Sequence, residues 1–297
     1  MNKKLKIIGL GEILWDMLPE GKKLGGAPAN FAYYVSKLGQ IGIITSRVGN
    51  DSLGKEILES MEKLNLNNKY IQIDPNYPTS TVSVKLDSNG QPDYVIHQNV
   101  AWDSLDFNES WKHLAKEADV ICFGTLAQRS NKSKNTIFDF LKSARPETIR
   151  LLDINIRQNF YSIEVIEESI KLSNILKLNI NELKIIRNLF NYSNNKNEID
   201  LCLEIINDFK LDLLCLTKGE KGSIVLNSKE YYEHQGYKVS IVDTVGAGDA
   251  FAAAMIVQYI KDKTLKEISD LANRLGSWVS SQSGPTPELS HELVGVF

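Results

Sequence analysis

The chain has 297 residues, a formal net charge of −3 at pH 7, and a composition of 42% hydrophobic and 24% charged residues. These values suit a folded globular protein with a sizeable core, and they offer no basic footprint for nucleic acid or for an anionic membrane. Cys122, Cys202 and Cys215 form no CxxC pair and sit in apolar surroundings, so they read as buried reduced thiols and not as disulfide or zinc ligands.

The first element in chain order is KLKIIGLG (4–11), a strand-like apolar run. Glu12 and Asp16 interrupt it well short of the ~20 residues that a membrane span needs, and no cleavable signal is completed, so a cytoplasmic protein is expected. GLGEIL (9–14) begins like a dinucleotide fingerprint, but position 14 is Leu and no third glycine closes it. LGGAPANFAYYVSKLG (24–39) then leads into a helix pattern. Gly25 and Gly26 would let a ligand approach the backbone, and Asn30 offers a donor and an acceptor from the first turn; a plain glycine turn before an ordinary helix is the alternative.

IGIITSRVG (41–49) is the second strand-like run. GNDSLGKE (49–56) nearly matches a Walker A loop, but Glu56 stands where Ser or Thr should meet magnesium, so the segment reads as a turn capped by Asp51. Between about 70 and 100, YIQID, STVSVKL and DYVIHQ alternate apolar with polar residues and are broken by Asp87-Ser88-Asn89-Gly90, a hairpin-like turn. This predicts a small antiparallel sheet added to the main one, either a lid over a site or an edge decoration. ADVICFG (118–124), TIRLLDIN (148–155), SNILKLN (173–179) and DLLCLTKG (212–219) return to buried-strand character, most of them followed by helical candidates. The alternation predicts a largely parallel sheet with helices on both faces. No HExxH or GxSxG motif occurs, and His97, His113, His234 and His291 are scattered, so zinc and serine hydrolysis have no support.

DTVGAGDAF (243–251) carries the most chemistry. A helix start presents unpaired N–H groups and the positive end of its dipole, and glycines let a phosphate come close, so Gly246, Ala247 and Gly248 suggest an anion hole. The plainer reading makes Asp249 an N-terminal cap. Against it, a carboxylate beside a phosphate would only repel unless the chemistry required it. Phosphoryl transfer to an alcohol does, because a base must accept the hydroxyl proton while the amides steady the moving phosphoryl group.

GGAPAN followed by Gly39 and Gly49, together with DTVGAGDAF, resembles the paired signatures of the ribokinase-like (PfkB) carbohydrate kinases, and QNVAWDSL (98–105), GTLAQRS (124–130) and DINIRQNFY (153–161) look most like fructokinase-type members. TKGEKG (217–222), NINE (179–182) and SGPTPEL (283–289) extend the resemblance over essentially the whole chain. It implies a three-layer α/β/α sandwich: one domain over 1–297, with a largely parallel central sheet and a β lid from about 12–25 and 70–102. Asp249 would be the catalytic base. Asp16, Gly25, Gly26 and Asn30 would bind sugar. Arg129 and Arg157 are expected just beyond strand ends, where each could meet a phosphate, a sugar hydroxyl or a carboxylate, or form a surface salt bridge. Asn179, Thr217, Gly219, Gly222, Asn273 and Gly284 would serve ATP. Glu182 would hold Mg2+ through water; without the resemblance, Asn179 and Glu182 read as a helix cap. Asp243 would lie at a monovalent-cation (K+) site, where Val245 replaces a common hydroxyl residue. The resemblance implies an ATP-dependent sugar kinase, with fructose ahead of 2-keto-3-deoxygluconate and ribose. A catalytically silent sugar sensor is the alternative of another class. The lid could also pair two copies into a homodimer.

Overall fold

The computed structural model describes residues 4–18, 21–86 and 92–297. Its main sheet has nine strands in the order β13-β12-β11-β10-β9-β8-β1-β4-β5. Seven are mutually parallel: β1 (Lys6–Leu10), β4 (Ile41–Gly49), β5 (Ile71–Asp74), β8 (Val120–Phe123), β9 (Ile149–Asp153), β10 (Ile175–Asn179) and β11 (Leu213–Thr217). Two antiparallel strands, β12 (Ser223–Leu226) and β13 (Tyr231–His234), close one end.

The parallel strands are near-continuous apolar runs because both faces are covered. Successive residues enter opposite cores: Ile8, Leu214 and Leu216 face one cluster, while Ile7, Leu213 and Cys215 face the other. The first cluster packs under α3 (Glu109–Glu117), α4 (Asn131–Ser143), α5 (Ile163–Lys171), α6 (Ile180–Leu189) and α7 (Glu198–Phe209). The second packs under α1 (Ala27–Lys37), α2 (Ser52–Lys63), α8 (Ala247–Tyr259) and α9 (Leu265–Ser280). α8 is buried on every side from Ala250 to Gln258, which its run of small and apolar residues permits. The predicted cap at the start of α2 is present, with Asp51 accepting from Gly54 N at 2.8 Å. All three cysteines are free and buried. Among the described residues, no helix is long and apolar enough to cross a membrane.

A second sheet of four strands has the order β3-β2-β6-β7: β2 (Leu14–Leu18), β3 (Gly21–Gly25), β6 (Thr81–Leu86) and β7 (Pro92–Ile96). Its central pair, β2 and β6, is parallel and its outer pairs are antiparallel. The turn expected at Asp87-Ser88-Asn89-Gly90 lies outside the described residues. One expectation is corrected. YIQID does not join the small sheet; Ile71–Asp74 pairs with β4 at the edge of the large one. Asp74 fixes it there, since its carboxylate accepts from Asn76 N and Tyr77 N and pairs with Arg47 of β4 at 2.8 Å.

Parallel strands bring all their carboxyl ends to one edge, where open α/β sheets place ligands. The small sheet stands at that edge, and Leu14, Val82 and Ile96 of its strands line a cavity of about 510 Å³.

Candidate active site

The cavity is built where β1, β9, β10 and β11 end and where α1 and α8 begin. α8 starts at Gly246, which has φ +79°, and a Cβ there would lie 2.4 Å from the Pro285 carbonyl oxygen. Only glycine fits both conditions. The 285–287 segment is held in place by α1, since Tyr34 Oη donates to Pro285 O at 2.7 Å and Tyr33 Oη to Pro287 O at 2.9 Å. Asp243 stitches the other side by accepting from Val245 N at 3.0 Å and Gly284 N at 3.1 Å. The backbone entering α8 is therefore fixed before any ligand arrives. Of its first-turn amides, Ala247 N turns back to Thr244 O at 3.3 Å, while those of Gly248 and Asp249 have no helical carbonyl four residues behind them. Gly246, Gly248 and Asp249 line the cavity; Ala247 does not.

Asp249 does not cap α8, whose N-cap Gly246 makes no side-chain cap bond. Its Oδ2 instead accepts from Asn30 Nδ2 at 2.8 Å. Part of the carboxylate opens on the cavity, but the residue lies deep, and burial raises its pKa to about 6. Repulsion from Asp153 adds to the rise; the Asn30 hydrogen bond, Lys177 and Arg157 oppose it. A carboxylate tuned in this way is ionised at neutral pH and still basic enough to take a proton.

The first turn of α1 reaches Asp249 because of Gly26, whose φ is +107° and where a Cβ would lie 2.5 Å from the Glu12 carbonyl oxygen. Asp16 lines the same cavity from β2, and a Cβ at Gly25 would sit 2.3 Å from its Oδ2, so Gly25 makes space for that carboxylate. Burial first, then Asp243, lifts the Asp16 pKa to about 6.

Other expected residues divide. Arg157, Asn179, Glu182 and Thr217 line the cavity. Asn179 and Glu182 form a capping box on α6: Asn179 Oδ1 accepts from Glu182 N at 3.0 Å, and Glu182 Oε2 from Asn179 N at 2.8 Å. Glu182 Oε1 also accepts from Ile156 N at 2.9 Å, joining the loops after β9 and β10. Burial raises the Glu182 pKa despite these bonds. Both carboxylate oxygens are thus engaged, which fits an outer position behind water and not direct contact with a metal. Among the described residues, no group of three or more His, Cys, Asp or Glu could hold a metal ion.

Gly219, Gly222 and Gly284 shape the loop after β11 and the seam with Asp243 without lining the cavity. Two expectations are corrected. Arg129 is not presented to a substrate. Its guanidinium pairs with Asp103 at 2.8 Å, donates to His97 O at 2.6 Å, and stacks on the rings of Trp102 and Phe160, leaving the side chain 5% exposed. Asn273 is a buried fastener between α9 and β12, donating to Ser223 Oγ at 2.8 Å and Ser269 O at 2.7 Å.

Three residues escaped the sequence reading. Glu12, 2% exposed, lines the cavity, and burial lifts its pKa to about 7. Glu12 Oε2 and Asn30 Oδ1 find no hydrogen-bond partner among the described residues. Lys177 and Asp153, at matching register on β10 and β9, form a buried ion pair at 2.8 Å in the cavity wall. The available signal was the charge within these apolar runs, Lys177 in ILKLN and Arg150 with Asp153 in IRLLD.

A parallel sheet with helices on both faces, a four-stranded sheet over its ligand edge, and a partly buried aspartate in a Gly-Ala-Gly helix start together define a ribokinase-type kinase fold. The chain matches the pfkB family carbohydrate kinases over residues 20–292. It belongs to that family and is a carbohydrate kinase. An uncharacterised sugar kinase of Pyrococcus horikoshii is 29% identical over 94% of this chain and 91% of its own. That protein's structure in complex with ATP superposes with a TM-score of 0.80, covering 95% of this chain and 94% of the other at 28% identity. Escherichia coli fructokinase is 26% identical over 94% of each chain. The 2-dehydro-3-deoxygluconokinase of Thermotoga maritima has the same fold, with a TM-score of 0.86 at 18% identity and 98% coverage of both chains.

Proposed function

We propose that this chain transfers the γ-phosphoryl group of ATP to a primary hydroxyl of a neutral ketose, with fructose the first candidate. The observation that carries the reading is the Asn30–Asp249 hydrogen bond, which sets a partly buried base beside the open amides of α8. In the proposed step the acceptor hydroxyl gives its proton to Asp249, its oxygen forms a bond to the γ-phosphorus, and the bond to the bridging oxygen breaks to release ADP. The amides of Gly248 and Asp249 hold the oxygens of the moving group. Magnesium bound with the triphosphate supplies charge neutralisation, and Asn179 and Glu182 are suited to hold it through water. Asp243 is suited to brace a monovalent-cation site through the backbone of Val245 and Gly284. The small sheet would exclude water as a lid, and its edge strands β3 and β7 suit pairing with a second copy.

Charge supports a neutral acceptor. Glu12, Asp16 and Asp249 all line the cavity, and Arg157 is the cation that acts on both Glu12 and Asp249. A sugar acid would have to approach three carboxyl groups. Arg157 gives 2-keto-3-deoxygluconate a second reading, since a guanidinium can take a carboxylate in two hydrogen bonds. The test is ATP consumption with fructose, 2-keto-3-deoxygluconate and ribose, on wild type and Arg157→Gln. Fructose should have the highest kcat/KM and lose only modestly in the variant. A preference for the acid that collapses in Arg157→Gln would transfer the assignment to the acid.

A further inference from the structure

Lys177 is the third residue of β10, in a run otherwise apolar, and its side chain is 8% exposed. It reaches the cavity wall at a particular place: its Nζ lies 3.6 Å from where a Cβ on Gly248 would sit, beside the second residue of α8. Asp153 grips it from the matching position on β9, accepting at 2.9 Å on Oδ1 and 2.8 Å on Oδ2. Two of the three ammonium N–H groups are spent in that grip, and the third remains. A buried ion pair is a poor device for stability alone, because removing two charges from water offsets most of their attraction. Its position in the cavity wall gives it another use. The wall carries the carboxyl groups of Glu12, Asp16, Asp153, Glu182 and Asp249 against the two cations Lys177 and Arg157. A polyphosphate entering this cavity meets mainly negative charge unless a cation stands at the point of transfer.

We propose that Lys177, oriented by Asp153, is the fixed cation that meets the phosphoryl group as it passes from donor to acceptor at the start of α8. The inference rests on the reading of Gly246–Asp249 as the transfer point. Lys177 neither gains nor loses a proton: the hydroxyl proton goes to Asp249, the new bond joins acceptor oxygen to phosphorus, and the electron pair of the broken bond leaves with ADP. The ammonium stabilises charge on the phosphoryl oxygens, as a preorganised donor does in a site that excludes water.

The pair is tested through Lys177→Met, Asp153→Asn and the double variant, beside an Asp249→Asn control, with whichever sugar the wild type turns over. The double variant replaces two charges by neutral groups and leaves neither partner buried alone, so it keeps the test open if a single variant fails to fold. It should fold as wild type does, hold the sugar KM within about threefold, and lose on the order of 100-fold in kcat. The charged and titratable groups acting on or with Asp249 are Glu12 after β1, Tyr34 on α1, Cys122 on β8, Asp153 on β9, Arg157 in the next loop and Lys177 on β10. The acid limb of kcat/KM should therefore move up in Lys177→Met and down in Asp153→Asn. Those shifts follow from the pair's charges acting on Asp249; a pair that only supported the fold would leave the kcat of the folded double variant near that of wild type. A folded double variant within threefold of wild-type kcat would overturn the inference. Undiminished turnover in Asp249→Asn would instead displace the transfer point, and the inference would fall with it.

Discussion

Asn30 and Asp249, 219 residues apart in the chain, share a hydrogen bond of 2.8 Å from Nδ2 to Oδ2. It joins the first turns of α1 and α8, the two helices that follow the glycine-rich segments, and so couples those two segments. Because Asn30 stabilises the ionised carboxylate, removing it should push the Asp249 pKa above about 6. Asn30→Leu should move the acid limb of kcat/KM to higher pH, with the deficit largest near pH 6 and shrinking toward pH 8. A pH–rate profile checks this; an unchanged limb would mean that the bond does not tune the base.

Glu12 should leave a signature in stability. Its folded-state pKa is raised from 4.5 to about 7 by burial, so the folded state holds this proton more tightly than the unfolded chain does. Its stabilising contribution is complete below about pH 4.5 and is lost as pH rises through 7. Glu12→Gln mimics the protonated form and should flatten that part of the profile. The variant should be the more stable protein at pH 8, by up to about 3 kcal/mol. Denaturant melts of both proteins at pH 5 and pH 8 would show it.

Arg129 belongs to the scaffold. Arg129→Gln strips Asp103 of its ion-pair partner between the Trp102 and Phe160 rings and should cost roughly 3–5 kcal/mol in stability. Sugar kcat/KM at a temperature where the variant remains folded should stay within about threefold. A large, sugar-dependent loss without destabilisation would return Arg129 to the substrate.

Much of this fold was legible because a doubly covered parallel sheet writes itself as apolar runs, and six such runs became β1, β4, β8, β9, β10 and β11. β12 and β13 were missed: SIVL and YYEH are four residues each, too short to separate from loop. YIQID was given to the small sheet because alternation reports exposure on one face and not which neighbour supplies the hydrogen bonds; Asp74 and Arg47 decide that. At the site, Asp249 and Asn30 were carried by glycine-rich motifs, and Asp16 by the family resemblance alone. Lys177, Asp153 and Glu12 were silent, because one charge inside an apolar segment has no period, and only the register of β9 against β10 shows that two of them meet. Arg129 and Asn273 failed in the opposite sense: position near a strand end or helix was visible, but the direction of the side chain was not.

The central claim is that Asp249 takes the acceptor proton during phosphoryl transfer from ATP to a neutral ketose. The most direct measurement is the rate of fructose phosphorylation by wild type and Asp249→Asn, with ATP affinity determined on the same samples. Loss of a positioned base should lower kcat on the order of 10²–10⁴-fold, while ATP affinity stays nearly unchanged because the backbone amides of α8 remain. Near-normal turnover by a folded Asp249→Asn protein would contradict the account.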